Sequence, residues 1–281
     1  MSLSIVMPRY TRDELVDMFT DFYSFLTKMH IGIPRDALQI PPPGGWPNLT
    51  PEKCRAWGKT DFVVNLLAHM PYIKSGDRDY DYIHFKSNLI DWSSVPDDGW
   101  GEDWLRHIEI TASSEFVNPD GTKADRVPPH IVSLATGYES GGRDILLDTE
   151  AGELIVEEIR CGLDFQDDVH DALVHIKDLY LNLHLIIVPG VEAIERSGSI
   201  KDIPITELPD PMAQRPEENY WPTETDIRWL RHIFRTHDWP SENWRKEEAA
   251  QAVEAYLRFR QGNDDDEDSE KETSRAEDGE T

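Results

Sequence analysis

The strongest constraint on the fold is a pair of apolar runs joined by a short link that contains glycine. RDILLD (143–148) and GELIVEEI (152–159) flank a four-residue link that ends at Gly152. A link of this length with glycine late in it is typical of a β-hairpin. HIVSLAT (130–136), just upstream, has the apolar and β-branched content of a further strand. The sequence therefore predicts a sheet in this part of the chain.

Two glycines, Gly141 and Gly142, come before the hairpin and raise the question of a phosphate-binding loop. Such a loop needs a helix N-terminus after the glycines, because the first helical amides hold the phosphate. Here the next residues have the pattern of a strand, and Asp144 and Asp148 would repel an anion. We therefore interpret the glycines as permitting a close approach to a hairpin strand. No nucleotide or other cofactor is expected.

Helical periodicity occurs on both sides of the strands. Thr11 and Glu14 match a capping box, in which each side chain bonds the other residue's backbone amide. A second helix is predicted to begin at Thr50, with Pro51 at its first position. The predicted helices cover about 12–30, 50–70 and 167–188, a segment that begins at 223, and a last one capped by Ser241.

These elements predict an α+β fold, with a mixed or antiparallel sheet, flanking helices and a helical C-terminal extension. IHFKSNLIDW (83–92) and LRHIEITASSEF (105–116) add strand-like segments. The domain prediction is an α+β domain over 1–190, a proline-rich connector over 191–222, a helical extension packed on the domain over 223–260, and a disordered acidic tail over 261–281.

The charge balance limits the partners that the chain can bind. The formal net charge is −27, and the ten acidic and two basic residues of 261–281 account for −8 of it, which leaves −19 for residues 1–260. Such a surface repels phosphate backbones, so nucleic-acid binding is not expected. Basic protein partners are favoured. The alternative is that the acidity only keeps the chain in solution.

Hydropathy and cysteine content indicate a compartment. No apolar run reaches the ~18 to 20 residues of a membrane helix, and no secretory signal is evident, so no membrane association is expected. Two cysteines, Cys54 and Cys161, lie far apart and match neither a disulfide framework nor a zinc motif. The cytoplasm or the nucleus is the expected location.

The sequence carries no catalytic or metal-binding motif. His170, His175 and His184 lie on one predicted helix, but no two of them have the four-residue spacing of a helical metal pair. Ser140 lacks the first glycine of a nucleophile elbow. Acidic residues are so numerous that close carboxylate pairs arise by chance. We therefore assign no catalytic, metal or cofactor residue.

Tryptophans in predicted loops are the candidate partner-binding residues. Trp46 and Trp92 lie at the ends of predicted elements, where an aromatic side chain can anchor a partner or cover the edge of the core. DDGWGEDW (97–104) places two more tryptophans among four carboxylates, a pattern suited to docking a basic protein. Its candidate residues are Asp97, Asp98, Trp100 and Trp104.

The segment 130–159 resembles the SUKH superfamily, which includes fungal regulators of cell-wall synthesis and bacterial toxin-immunity proteins. The resemblance consists of a strand, a Gly-Gly loop, a strand that ends in Leu-Asp, a glycine turn and another strand. The region of Phe165 resembles the helix that closes the domain. The matching positions are Gly141, Gly142, Leu147, Asp148 and Gly152.

The resemblance extends over about 11–188 in the order of elements, and its specific part is about thirty residues long. The irregular insertion between Pro71 and Pro128 and the helical part after 197 depart from the minimal domain. The resemblance implies an α+β domain that binds other proteins and carries no catalytic residues.

Three functional hypotheses follow. The first is an intracellular, non-enzymatic interaction protein, regulatory or scaffolding, whose acidic surface docks basic partners. The second is an enzyme, hydrolase-like or accessory to a biosynthesis, with a site assembled from dispersed histidine and carboxylate residues. The third is an acidic mimic of nucleic acid that occupies the basic cleft of a nuclease.

Overall fold

The computed structural model describes residues 8–74, 82–94, 116–117, 121–122, 124, 127–190, 193–195, 200–209 and 221–261. The chain divides into two compact units, Met1–Arg196 and Ser197–Thr281, and each is described by itself. Within the described ranges the first unit combines four α-helices with ten strands, and the second contains two α-helices. The α+β class and the helical C-terminal part agree with the sequence prediction.

Two helices of the first unit start at the predicted caps, Thr11 and Thr50, but the second predicted helix is divided. Thr11 and Glu14 form the capping box of the first helix. The single helix predicted from residue 50 to 70 is wrong: Gly58 has φ +76°, which ends the first piece, and Thr60 caps the second. The bounds are α1 Arg12–Met29, α2 Pro51–Ala56, α3 Asp61–His69 and α4 Val169–Leu181.

Six strands form one antiparallel meander in which each strand pairs with the next along the chain. Two further antiparallel pairs, β1 with β2 and β9 with β10, stand apart from it. The bounds are β1 Leu38–Gln39, β2 Tyr72–Ile73, β3 Tyr82–His84, β4 Ser87–Leu89, β5 Ile131–Gly137, β6 Arg143–Asp148, β7 Glu153–Glu158, β8 Gly162–Asp168, β9 Leu185–Ile186 and β10 Ile194–Glu195.

The predictions for 83–92 and for the hairpin agree with β3, β4, β6 and β7. The predicted strand over 105–116 lies, apart from its last residue, outside the described residues, as do 262–281 and most of the predicted connector.

The segment read as the start of the last helix of the domain is instead an edge strand. Phe165 lies opposite Val156 in the ladder between β7 and β8, and Gln166 lies opposite Ile155. The helix begins only at Val169, where the Asp168 side chain accepts a hydrogen bond from the His170 amide at 3.0 Å. Aspartate is depleted in strands, so pairing with β7 overrides the local preference of this segment.

The core of the first unit lies between the helices and the sheet. Helix α4 packs on β7 and β8, and α1 packs on both α3 and α4. Tyr180 of α4 is buried and donates its hydroxyl hydrogen to the carbonyl of Ile83 at 2.8 Å, which ties the helix to β3. A second apolar cluster surrounds Leu146 and Ile155. The central strands are therefore apolar on both faces.

The Gly-Gly loop joins β5 to β6 in a tight turn, and the strand expected after it is present. Gly141 has φ +85°, a backbone conformation that favours glycine. A Cβ atom on Gly142 would lie 2.6 Å from the Tyr138 carbonyl oxygen and 2.9 Å from that of Lys86. Gly142 also accepts a bond from the Ile159 amide at 2.9 Å. The loop is thus packed between two neighbouring turns.

The link between β6 and β7 is organised by Asp148. Its carboxylate accepts hydrogen bonds from the amides of Glu150 and Ala151, both at 2.9 Å. Gly152 closes the turn with φ +70° and donates its amide hydrogen to the Asp148 carbonyl at 2.9 Å. The acidic residue and the glycine that mark this hairpin in the sequence therefore both act on its backbone.

The second unit contains α5, Glu224–Thr236, and α6, Lys246–Gln261. Thr223 and Asp226 form a capping box on α5, and the buried Asp226 carboxylate also binds Arg260 and Tyr256 of α6. The last helix starts after Ser241, because residues up to Arg245 form turns closed on α5.

We expect Gly142→Ala to destabilise the first unit by about 1–3 kcal/mol, because the new methyl group meets backbone atoms that cannot rotate away. Gly44 is the matched control: a Cβ atom there has nothing within 4 Å. Denaturant unfolding of both variants is the measurement. Equal stability of the two variants would contradict the packed loop.

Candidate functional site

A buried arginine collects three carboxylates at the end of the sheet that carries the Gly-Gly loop. Arg143, the first residue of β6, is 7% exposed. Its guanidinium contacts Asp164 of β8 at 2.8 Å, Glu195 of β10 at 3.1 Å and Glu158 of β7 at 3.2 Å. It also donates to the Gly141 carbonyl. We call these residues the Arg143 cluster.

The Arg143 cluster has more negative than positive charge, because one guanidinium faces three carboxylates. Burial raises the pKa of Glu195, Arg143 opposes the shift, and Asp164 and Glu158 add to it. The donors of Arg143 are occupied by carboxylates and a carbonyl, so the guanidinium is committed to holding four strands together. No sequence motif links residues so far apart, although an arginine at the start of an apolar strand, opposite Glu158, was a usable signal.

His84 of β3 lies near the Arg143 cluster and is 1% exposed. Its Nδ1 accepts a hydrogen bond from the Phe85 amide at 2.9 Å. Burial lowers the pKa of His84 to about 4; Arg143 and His175 act in the same direction, and Asp164 opposes them. The imidazole is therefore neutral at physiological pH.

The described residues give little support to metal or thiol chemistry. Within the described part of the chain, no three His, Cys, Asp or Glu residues are grouped so that they could hold a metal ion. Burial raises the pKa of the Cys54 thiol to about 11. A hydrogen bond with Glu158 raises the pKa of Cys161. Raised values disfavour the thiolate, which is the nucleophilic form.

The two described tryptophans among the candidates have different environments. Trp46 is half-buried, and its indole N–H donates to the Met70 carbonyl at 2.8 Å. Trp92 is 1% exposed, and its indole N–H donates to the Ser133 carbonyl at 2.9 Å. Trp92 is thus buried in the core, the second of the two roles that the sequence leaves open for it, and its candidacy as a partner-binding residue is wrong. Its apolar ring and its satisfied N–H explain the burial.

The candidate docking loop, DDGWGEDW (97–104), is one of the segments that the structure does not describe. Asp97, Asp98, Trp100 and Trp104 lie outside the described residues. The three predicted histidines on α4 are described: His170 and His175 are exposed, and His184 lies beyond the end of the helix. The ring of His175 stacks edge-on against Phe165 at 5.4 Å.

Strand β8, with the sequence GLDFQDD, is acidic and largely exposed. It is the last strand of the meander, and among the described residues no further strand pairs with its outer edge. Asp164, Gln166 and Asp167 are exposed, and Leu163 is 59% exposed. Between residues 150 and 171 the sequence has eight acidic residues and one basic residue. The edge therefore presents backbone groups surrounded by negative charge.

Strand β8 is fixed at both ends. At its start, Asp164 is bound to Arg143. At its end, the Asp168 carboxylate accepts the Tyr10 hydroxyl hydrogen at 2.8 Å and contacts Arg9 at 2.8 Å. Burial alone would raise the pKa of Asp168, but Tyr10, Arg9 and backbone amides outweigh burial and lower it. These contacts at both ends favour the extended conformation of the strand.

Comparison with known proteins gives no relative: no family model, no curated protein and no solved structure matches the chain. Among the described residues, no helix combines the length and the apolar character needed to cross a membrane.

We expect the first unit to lose stability as the pH falls from 6.5 towards 4. Over this range His84 takes up a proton in the unfolded chain but not in the folded one. Its contribution to the free energy of unfolding is therefore fully present above about pH 6.5, and up to about 3 kcal/mol of it is lost as the pH falls towards 4. In His84→Asn an amide oxygen replaces Nδ1 as the acceptor and this contribution disappears.

The measurement is urea unfolding at several pH values, followed by the methyl NMR signals of Leu146 and Val156, which report on the first unit. The pH dependence of the unfolding free energy should be less steep in His84→Asn than in the wild type. Equal slopes would show that His84 does not titrate in this way.

Proposed function

We propose that this chain is a non-enzymatic interaction protein, regulatory or scaffolding, that docks basic protein partners on an acidic surface of its α+β unit. The observation that carries the proposal is the exposed, acidic edge strand β8, fixed at both ends. The resemblance of residues 130–159 to the SUKH superfamily supports the same reading, because that resemblance implies a protein-binding domain. With two cysteines and no disulfide framework, we propose the cytoplasm or the nucleus as its location.

Charge supports the choice of partner. Eight acidic residues against one basic residue over 150–171 create a negative potential that attracts basic proteins and speeds their association. The same potential repels the phosphates of nucleic acids. Residues 1–260 keep a net charge of −19 without the tail, which supports a docking surface outside the tail.

The enzyme hypothesis has weaker support. A dispersed site would use groups such as His84, Glu195 and Asp164, which the fold brings near Arg143. However, His84 is almost fully buried, and the three carboxylates of the cluster already bind the guanidinium. A general base must reach the substrate proton directly or through one water molecule. The cluster is better suited to holding strand ends.

The proposal predicts salt-sensitive binding of a basic peptide. The probe is a fluorescent 12-residue peptide of alternating Lys and Thr, and the measurement is fluorescence anisotropy against the full chain. The Kd should rise at least tenfold between about 50 and about 500 mM NaCl, because salt screens exposed charges. A peptide of alternating Glu and Thr is the matched control and should not bind.

A variant lacking residues 262–281 tests whether the tail is responsible. It should bind the Lys-Thr peptide with an affinity close to that of the full chain, since the acidic edge remains. Absence of binding at low salt, or loss of binding on deletion of the tail, would argue against a docking surface on the first unit.

A further inference from the structure

We propose that the outer edge of β8 binds an extended basic segment of the partner as an additional strand of the sheet. This inference rests on the proposed function and specifies its mode of recognition. A strand added to a free edge gains main-chain hydrogen bonds, and side chains alternate between the two faces to provide specificity.

The ladder between β7 and β8 determines which amides face outward. The Val169 amide donates to the Gly152 carbonyl at 3.0 Å, so this pair is hydrogen-bonded across the strands. Hydrogen-bonded and non-hydrogen-bonded pairs alternate in an antiparallel ladder. Asp168 and Gln166 therefore direct their backbone groups away from β7, and Asp167 directs its groups towards it.

The outward amides are not equivalent. The Asp168 amide is already bonded to the Asp167 carboxylate at 2.8 Å. The Gln166 side chain donates to Glu153 at 2.5 Å, across the strand towards β7, and leaves its own backbone edge open. The Gln166 backbone is thus the central docking point of the edge. Leu163, 59% exposed, offers an apolar contact on the same strand.

Charge selects the occupant among the available candidates. In a pair of β8 strands from two copies, Asp164 and Asp167 of one copy would lie close to the same carboxylates of the other, which is destabilising. Residues 261–281 carry ten acidic and two basic residues, so they are repelled as well. A segment rich in Lys or Arg complements the strand. The occupant is therefore a basic, extended segment of another protein.

The test compares two substitutions at one position. Gln166→Pro removes the outward amide without removing a bond to β7, a position at which an edge strand tolerates proline. Gln166→Ala removes the side chain and keeps the amide. With the alternating Lys-Thr peptide as probe, Gln166→Pro should raise the Kd about tenfold, and Gln166→Ala should bind within about twofold of the wild type.

A measurement on the unmodified chain covers the case in which the proline variant fails to fold. In the free protein the Gln166 amide should exchange its hydrogen rapidly, whereas the Asp167 amide, which faces β7, should be protected. Saturation with the Lys-Thr peptide should slow exchange at Gln166 at least tenfold and leave Asp167 unchanged.

The outcomes separate this inference from the proposed function. If the peptide binds in a salt-sensitive way and the Gln166 amide stays unprotected, strand addition is overturned while acidic docking survives. If the peptide does not bind the wild type at low salt, the proposed function itself fails. Protection at Gln166 together with weakened binding by Gln166→Pro supports both.

Discussion

The first unit depends on the burial of one guanidinium. Arg143 holds the starts of β6 and β8, the end of β7 and the short strand β10 through carboxylates on three of them. A buried charge is tolerated only when it is paired and hydrogen-bonded, so these contacts are obligatory once Arg143 is enclosed. The Gly-Gly loop supplies a carbonyl to the same guanidinium. Loop, hairpins and edge strand are therefore coupled through a single side chain.

This coupling has a consequence for recognition. Asp164 is bound to Arg143 and Asp168 to Tyr10 and Arg9, and these contacts hold β8 in an extended conformation although no strand among the described residues pairs with its outer side. A pre-ordered edge spares a partner part of the entropic cost of ordering the site. The cluster also has an excess of negative charge, since one guanidinium balances only one carboxylate. The carboxylates that bind Arg143 and stabilise the edge strand therefore also contribute to the negative electrostatic potential around it.

Local signals in the sequence predicted the local structure. The capping residues Thr11 and Thr223 mark real helix starts, and Gly152 with Asp148 marks the hairpin. One error is local, because Gly58 and Thr60 divide the helix predicted over 50–70, and two others concern interactions between distant residues. The sequence predicts that a helix opens at Asp164, but this segment is the strand β8, which pairs with β7 and is bound to Arg143. The burial of Trp92 depends on the Ser133 carbonyl, which accepts its indole hydrogen and lies far along the chain, so local sequence could not choose between a core role and a partner-binding role.

The acidic character of β8 serves two physical requirements at once. An exposed edge strand is a template for pairing with other chains, and inward or edge charges are a common protection against self-association. Carboxylates on β8 make pairing between two copies unfavourable, yet the same carboxylates are complementary to a basic strand. Discrimination by repulsion of the wrong partner and attraction of the right one is how specific interfaces are usually built. On this argument the residues that keep the edge free are also those that choose what it binds.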